Sequence, residues 1–212
     1  ERLTEVSKRA ESGDPVLQRF LAIRQWSRHE SVPSTPGGRP GLHWLQQAAE
    51  QGHRAAQIEI AQHYEQTPKQ SHAVAAFKFR EQAASQGDAE SYFKTAVCFR
   101  DGVGCTKDLA KAAGMLCQAL LVGYPDSISA AGTDPVVLAS VLAILSNDSG
   151  VNVESLPIAT VNLSNAGLTE LPRRLPCSLT DLDLSNNRLT KVSDALRELK
   201  SLSALNLSNN LV

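Results

Sequence analysis

Apolar and polar positions repeat as one unit through the first part of the chain. Each unit has a glycine between two stretches whose apolar residues recur every three or four positions, which is the spacing of amphipathic helices. The glycines of successive units are 39, 35 and 36 residues apart and stand at Gly13, Gly52, Gly87 and Gly123. This interval is typical of helical hairpins stacked in a solenoid, so we predict antiparallel helix pairs over residues 1–124.

Small residues stand at fixed distances from these glycines. Alanine occurs three residues before the first three glycines and nine residues after them. The positions are Ala10, Ala49 and Ala84, then Ala22, Ala61 and Ala96. Because a short side chain lets a facing helix approach closely, we assign these columns to the core rather than to a site.

The start of the helical region is the least regular part. We expect residues 1–12 to be the end of a helix whose partner precedes residue 1, closed by Gly13. Residues 31–40 contain three prolines and two glycines, which cannot continue a helix. They are predicted to form a mobile connector within the first repeat.

Three stretches of the helical region are similar in sequence to a known repeat family. They read WLQQAAEQG at residues 44–52, AASQGDA at residues 83–89 and DGVGCTKDLAKA at residues 101–112. These stretches resemble the Sel-1-like repeats, which are relatives of the tetratricopeptide repeats. The resemblance covers about residues 1–124 and implies stacked helix pairs that form a superhelix and serve as an adaptor. After Gly123 the pattern fades, and residues 125–155 are predicted to be capping or junction helices.

A second period begins near residue 156. Its apolar positions are Ile158, Val161 and Leu163, then Leu179, Leu182 and Leu184, then Leu202, Leu205 and Leu207. The form L-x-x-L-x-L-x-x-N-x-L with steps of 21 and 23 residues is the leucine-rich repeat signature. The asparagine position holds Asn187 and Asn210, but Ala166 in the first unit, where we expect a less regular coil. The fold class predicted is therefore an α-solenoid of antiparallel helix pairs followed by a short α/β leucine-rich-repeat solenoid over residues 156–212, with more repeats expected beyond residue 212.

Composition narrows the classes of partner. The net charge is −1 and charged residues make up 20% of the chain, so no basic excess favours nucleic acid. The longest apolar run, residues 136–145, is too short to span a bilayer, so membrane insertion is not expected. Four cysteines without a C-x-x-C pair favour a reducing compartment, and we expect a cytoplasmic protein.

No pattern predicts catalysis. The spacing of His53, His63 and His72 matches no common metal-ligand pair, and they are interpreted as solvent-facing helix residues. Residues 102–104, Gly-Val-Gly, superficially match part of a nucleotide-binding fingerprint, but no strand precedes them, so a tight turn between helices is favoured. We therefore predict no catalytic residue, no cofactor and no metal, and hence no enzyme activity in this segment.

Two surfaces remain as candidates for binding. On the leucine-rich part, residues that alternate with the leucines should share one sheet face, and a solvated face without a partner is the alternative. The candidates there are Thr160, Asn162, Asp181, Asp183, Ser185 and Asn206. On the helical part, the candidates for lining a groove are Arg24, Gln57, Glu59, Gln62 and Lys94.

The leading hypothesis is a protein-interaction scaffold or adaptor for protein partners whose identity and number the sequence leaves open. An alternative is the targeting or regulatory arm of a larger signalling enzyme, with a GTPase, kinase or ubiquitin-ligase domain downstream. A third is a lumenal adaptor in protein quality control, which the helical family and the Asn-x-Ser triplets at Asn147, Asn162 and Asn206 leave open.

Overall fold

The computed structural model describes residues 2–27, 41–66, 69–124, 126–132, 134–146, 152–191 and 194–212. The predicted connector at residues 31–40 lies outside these ranges, as does Asn147. The helices are α1 Arg2–Glu11, α2 Pro15–Ser27, α3 Leu42–Glu50, α4 Arg54–Glu65, α5 Gln70–Ser85, α6 Ala89–Asp101, α7 Leu109–Leu121, α8 Asp126–Ala131 and α9 Pro135–Leu145. The strands are β1 Thr160–Asn162, β2 Asp181–Asp183 and β3 Ala204–Asn206. The predicted fold class, helix pairs followed by short-stranded coils, is confirmed.

The chain divides into two compact units. The first contains Glu1–Thr95 with Val103–Cys105, and the second contains Ala96–Gly102 with Thr106–Val212. Helix α6 therefore begins in the first unit and ends in the second. The domain boundaries predicted at residues 124 and 155 stay predictions.

The alanine columns lie in the core, as predicted. Ala10, Ala22, Ala49 and Ala61 are completely buried, and Ala84 nearly so. Helix α1 packs against α2, so the expectation that its partner precedes residue 1 is wrong. The chain folds back at Gly13, where backbone N–H groups bond the last carbonyls of α1 and close the turn.

Two buried glutamines cap the first helices of their hairpins. Gln18 and Gln57 are each 2% exposed, and each lies five residues after its loop glycine. The Gln18 side-chain amide donates to the carbonyl of Ala10 at 2.9 Å, and that of Gln57 donates to the carbonyl of Ala49 at 3.1 Å. Both acceptors belong to the last turn of a helix, where carbonyls have no partner within the helix. The same bond is thus repeated in successive hairpins.

The same glutamines also bond to the next hairpin. Gln18 Oε1 accepts from Gln51 Nε2 at 2.9 Å, and Gln57 Oε1 accepts from Gln86 Nε2 at 2.8 Å. Gln51 and Gln86 each stand one residue before a loop glycine. We call these four residues the glutamine relay. It joins the first three hairpins through partly buried side-chain hydrogen bonds.

A buried arginine ties the second hairpin to the third. Arg80 on α5 is 1% exposed, and its Nε lies 2.8 Å from Glu65 Oε1 at the end of α4. Its Nη2 lies 3.5 Å from Glu90 Oε1 on α6. Burial alone would lower the pKa of Arg80, but the hydrogen bond to Glu65 and the charges of Glu65, Glu90 and Asp88 together hold this pKa above its ordinary value. Arg80 is therefore charged and paired inside the array.

In the second unit, aspartates begin two helices. Asp108 Oδ1 accepts from the backbone N–H of Lys111 at 3.0 Å and caps α7. Asp134 Oδ1 accepts from the N–H of Val136 at 2.9 Å and caps α9, whose first residue is Pro135. Both arrangements are typical helix starts.

The strands form a three-stranded parallel sheet in the order β1-β2-β3. Val161 and Leu182, at the centres of β1 and β2, are buried, while their neighbours on the strands point outward. Leu163 and Leu184, which follow the strands, are completely buried. The alternation places the leucines inside each coil and leaves one sheet face for polar side chains.

The relay predicts a specific loss of stability. Replacing Gln57 by Ala would remove its hydrogen bonds to the Ala49 carbonyl, to Gln82 and to Gln86, so we expect the free energy of unfolding to fall by about 1–3 kcal/mol. Urea denaturation followed by circular dichroism measures this change. Gln62→Ala, at an exposed position of the same helix, is the control and should change it by less than about 0.5 kcal/mol. Equal effects of the two substitutions would contradict the relay.

Candidate functional site

Five of the six candidate binding residues lie together on the sheet. The parallel register aligns Thr160 with Asp181, and Asn162 with Asp183 and Asn206. Adjacent strands of a sheet are about 4.8 Å apart, so side chains in one row are direct neighbours. The sequence alternation thus brought these five residues to one face, as expected for strand residues two positions apart.

The row made by Asn162, Asp183 and Asn206 has a structural task. In each residue Oδ1 accepts from the backbone N–H two positions later, at 2.9 Å from Ser164, 2.9 Å from Ser185 and 3.1 Å from Ser208. These bonds hold the turn that ends each strand. The rotamers of the row are therefore fixed before any partner arrives.

The carboxyl group of Asp183 is stabilised in its charged form. The backbone N–H of Ser185 lowers its pKa, and the side chains of Ser185 and Asn206 add hydrogen bonds in the same direction. Asp183 is therefore ionised at neutral pH. Together with Asp181 it places two negative charges on the central strand.

The sixth candidate, Ser185, is not on this face. It is 6% exposed, because the chain turns inward directly after β2. Its carbonyl accepts from the N–H of Asn165 at 3.1 Å and from Nδ2 of Asn187 at 3.3 Å. Little of Ser185 is therefore accessible to a partner, and its assignment as a binding residue stays a prediction.

The row that contains Thr160 and Asp181 is more exposed to solvent than the row that contains Asp183. Both residues are exposed, and Ala204 completes the row on β3. Thr180 Oγ1 donates to Asp181 Oδ2 at 2.6 Å, which orients that carboxylate. None of the residues of β1, β2 and β3 is basic. We call Thr160, Asn162, Asp181, Asp183 and Asn206 the sheet-face cluster; it offers carboxylate, amide and hydroxyl groups.

Behind the sheet-face cluster, Asn187 holds neighbouring coils together. Its Nδ2 donates to the carbonyls of Leu163 and Leu184, both at 2.8 Å. Its Oδ1 accepts from the N–H of Leu168 at 3.0 Å. One carboxamide therefore satisfies backbone groups in its own coil and in the coil before it.

Asn210 repeats this arrangement one coil later. Its Nδ2 donates to the carbonyls of Leu184 and Leu207, both at 2.9 Å, and its Oδ1 accepts from the N–H of Leu189 at 3.1 Å. We call the bonds of Asn187 and Asn210 the asparagine ladder. Each asparagine of the ladder therefore bonds backbone groups of two adjacent coils.

The first coil is as regular as the others, although it has Ala166 at the ladder position. Asn165 has a positive φ of 57°, compared with 55° for Asn186 and 57° for Asn209. Strand β1 is also paired in register with β2. The expectation of a less regular first coil is therefore wrong, because the ladder bond to this coil comes from Asn187 in the next one.

The candidate groove on the helical part is only partly accessible. Gln57 is buried and belongs to the glutamine relay, so little of its side chain is accessible to a partner. Glu59 is paired with Arg19 of α2. Gln62 is exposed, but these positions lie on the second helix of each hairpin rather than on the first. Of the five groove candidates, Gln62 alone is exposed, whereas Arg24, Glu59 and Lys94 are half-buried.

The glycine loop before α7 has a packing role. Gly104 has a φ of +73°, and a Cβ added there would lie 2.3 Å from the carbonyl oxygen of Ala73. Only glycine lets the loop approach α5 this closely. The predicted tight turn explains this glycine without a bound phosphate.

His53, His63 and His72 are half-buried, so their interpretation as solvent-facing residues is wrong. His53 Nδ1 accepts from the N–H of Ala56 at 3.3 Å and caps α4. Burial raises the pKa of the Cys117 thiol to about 11, so this thiol is protonated and a poor nucleophile at neutral pH. Within the described ranges, no three His, Cys, Asp or Glu residues are grouped so as to hold a metal ion. None of the helices that the structure describes is both long enough and apolar enough to traverse a bilayer.

The comparison with family models decides the nature of the C-terminal coils. The leucine rich repeat model matches residues 158–212. Residues 158–212 are leucine-rich repeats. The strand register and the asparagine ladder are the structural counterparts of this match. Leucine-rich repeats are typically non-catalytic interaction modules.

Solved structures of Sel1-type proteins are similar to the chain. A Sel1 repeat protein from Oxalobacter formigenes is 22% identical with a TM-score of 0.49, covering 61% of this chain and 96% of that one. A protective antigen present in uropathogenic Escherichia coli strains, which displays an SLR fold, is 20% identical with a TM-score of 0.47. The match covers 66% of this chain and 32% of that antigen. No curated protein matches.

The ladder predicts that Asn187 is critical for stability. Asn187→Ala would leave the buried carbonyl of Leu163 unsatisfied, and we expect a loss of about 2–4 kcal/mol in the free energy of unfolding. Thermal and urea denaturation measure it. Thr190→Ala, at an exposed position three residues later, should be nearly neutral. A loss for Asn187→Ala no larger than the control's would show that the ladder is dispensable.

The lowered pKa of Asp183 predicts that the stability of the protein depends on pH. Because the folded state lowers its pKa below the ordinary 3.8, the charged form contributes stability above that value. This contribution should disappear as the pH falls below about 3.8 through the folded pKa. Urea denaturation between about pH 6 and pH 2.5 should show a smaller acid-induced loss for Asp183→Asn, which keeps the acceptor of the turn. Identical pH profiles for the two proteins would refute this assignment.

Proposed function

We propose that this chain is a scaffold that holds a protein partner on the sheet-face cluster of its leucine-rich repeats. The observation that carries the proposal is the register of the three strands, which aligns outward polar side chains into rows on one face. Fixed rotamers lose little entropy when a partner binds, so such a surface is pre-organised for recognition. The proposal assigns no catalytic step to this segment.

The charge of the sheet-face cluster narrows the class of partner. Asp181 and Asp183 lie on the central strand, and the strands carry no basic residue to neutralise them. Phosphate groups of a nucleic acid would be repelled by this face, whereas polar and basic protein groups can hydrogen-bond to it. A protein partner therefore fits the surface better than a nucleic acid.

The proposal is tested by capturing partners with the full chain. Proteins recovered by affinity purification are identified by mass spectrometry, and binding of each is then measured with purified components. Asp181→Ala should weaken binding by about tenfold, because it removes an exposed, oriented carboxylate. Capture that yields no protein above background would argue against a scaffold.

The matched control is Glu170→Ala, which removes an exposed carboxylate outside the strands of the same repeats. It should leave binding unchanged. Circular dichroism and urea denaturation must show that both variants are folded to the same extent. Equal weakening by the two variants would place the interaction outside the sheet-face cluster.

A further inference from the structure

The third hairpin has polar side chains at three buried positions where the second hairpin is apolar. These positions stand seven residues before the loop glycine of the hairpin, and four and eight residues after it. Around Gly87 they hold Arg80, Ser91 and Thr95. Around Gly52 they hold Leu45, Ala56 and Ile60. All six residues are at most 1% exposed, so the third hairpin encloses polar groups where the preceding repeat encloses hydrocarbon.

The apolar set shows that the three positions lie together. Leu45, Ala56 and Ile60 belong to one cluster of packed core residues. Successive hairpins of a solenoid repeat the same packing, so the equivalent positions of the third hairpin should face a common interior as well. The polar side chains therefore replace one apolar contact region rather than three scattered positions.

Contacts within the third hairpin agree with this placement. Ser91 and Thr95 are four residues apart on α6, which puts them on one side of that helix. Arg80 on α5 reaches the residue next to Ser91, because its Nη2 lies 3.5 Å from Glu90 Oε1. The guanidinium group is therefore close to the first turns of α6, which carry the two hydroxyl groups.

Each of the three polar side chains has a buried atom that no group in the described part of the chain bonds. These atoms are Nη1 of Arg80, Oγ of Ser91 and Oγ1 of Thr95. A serine or threonine on a helix often donates to a carbonyl one turn earlier, but neither hydroxyl of this set does so among the described residues. Because a buried polar group without a partner is costly, such groups are usually bonded to protein or to ordered water. Three of them in one contact region indicate a bound polar ligand.

The charges around Arg80 favour a neutral ligand. Glu65 and Glu90 pair with its guanidinium group, and the carboxylate of Asp88 is close enough to act on its charge. These three carboxylates would repel an added anion, whereas the guanidinium group would repel a metal ion. A water molecule is neutral, and it can accept a hydrogen bond from Arg80 while it donates one to a hydroxyl group.

We infer that the third hairpin contains a buried water site formed by Arg80, Ser91 and Thr95. A buried water molecule typically makes about three hydrogen bonds to groups that are otherwise unpaired, and this set offers three such groups. Thr95 is smaller than Ile60, its equivalent in the second hairpin, and so leaves room for solvent. The bound water exchanges slowly, since all three side chains are enclosed. The site is independent of the proposed function, because the sheet-face cluster lies in the other unit.

Magnetic relaxation dispersion of the ¹⁷O nuclei of water tests the site in the full chain, because it counts water molecules that stay bound for longer than the protein tumbles. Ser91→Ala combined with Thr95→Val removes both hydroxyl groups with little change in side-chain size. This variant should lose at least one long-lived water molecule. An equal number in the variant and the unchanged chain would overturn the inference.

The matched control is Ser71→Ala combined with Ser85→Ala, which removes two exposed hydroxyl groups from α5. It should keep the full number of long-lived water molecules. Circular dichroism and urea denaturation must show that both double variants are folded. A loss of bound water in the control equal to that in the Ser91 and Thr95 variant would overturn the assignment to these two residues.

A crystal structure of the unchanged chain gives a measurement that depends on no variant. We expect solvent density at about 2.7–3.2 Å from Arg80 Nη1 and from at least one of the two hydroxyl oxygens. Hydroxyl groups that donate to carbonyls of α6, with no solvent at Arg80 Nη1, would overturn the inference.

Discussion

Buried backbone carbonyls at the repeat boundaries need hydrogen-bond donors, and side-chain amides provide them in both units. These carbonyls lie where one helix or coil ends and the next begins, beyond the regular hydrogen bonds of the helix or strand. The loop backbone bonds some of them, as the N–H of Gly52 does for Ala49, and side-chain amides bond others or add a second donor. A carboxamide has two donor hydrogens and an acceptor oxygen, so one side chain can serve its own repeat and a neighbour. Gln57 does this between hairpins and Asn187 between coils. The stacking of both arrays depends on these bonds.

The parts of the fold that depend on period were predictable from sequence. Helical spacing predicted the hairpins, and the columns that contain Ala22 and Ala61 predicted the core, because both follow from residues close in sequence. The burial of Gln57 was not predictable in this way. Its carboxamide is satisfied by Gln86 in another hairpin, and a polar residue on a helix looks solvent-facing until that partner is known. The burial of Arg80 was unpredictable for the same reason, because its partner Glu65 lies on another helix.

The sheet-face cluster shows the limit of the alternation rule. Alternation correctly placed Thr160 and Asp183 on one face, since both lie within strands. It failed at Ser185, because the strand is only three residues long and the chain has already turned inward. The residues of the cluster fall into two groups, according to whether their side chains also hold a turn. Asn162, Asp183 and Asn206 support turns, whereas Thr160 and Asp181 lie outside this row, so differences in specificity between related surfaces should arise mainly at the latter two positions.

The asparagine ladder is directional. The Leu163 carbonyl of the first coil is bound by Asn187 of the second, and Ala166 contributes nothing to it. The Leu207 carbonyl of the third coil is bound by Asn210 of the same coil. The first coil therefore depends on the second for a buried bond, whereas the third coil supplies its own. Unfolding of the second coil would therefore leave the Leu163 carbonyl of the first coil without its Asn187 donor, whereas the Leu207 carbonyl keeps its donor as long as the third coil is folded.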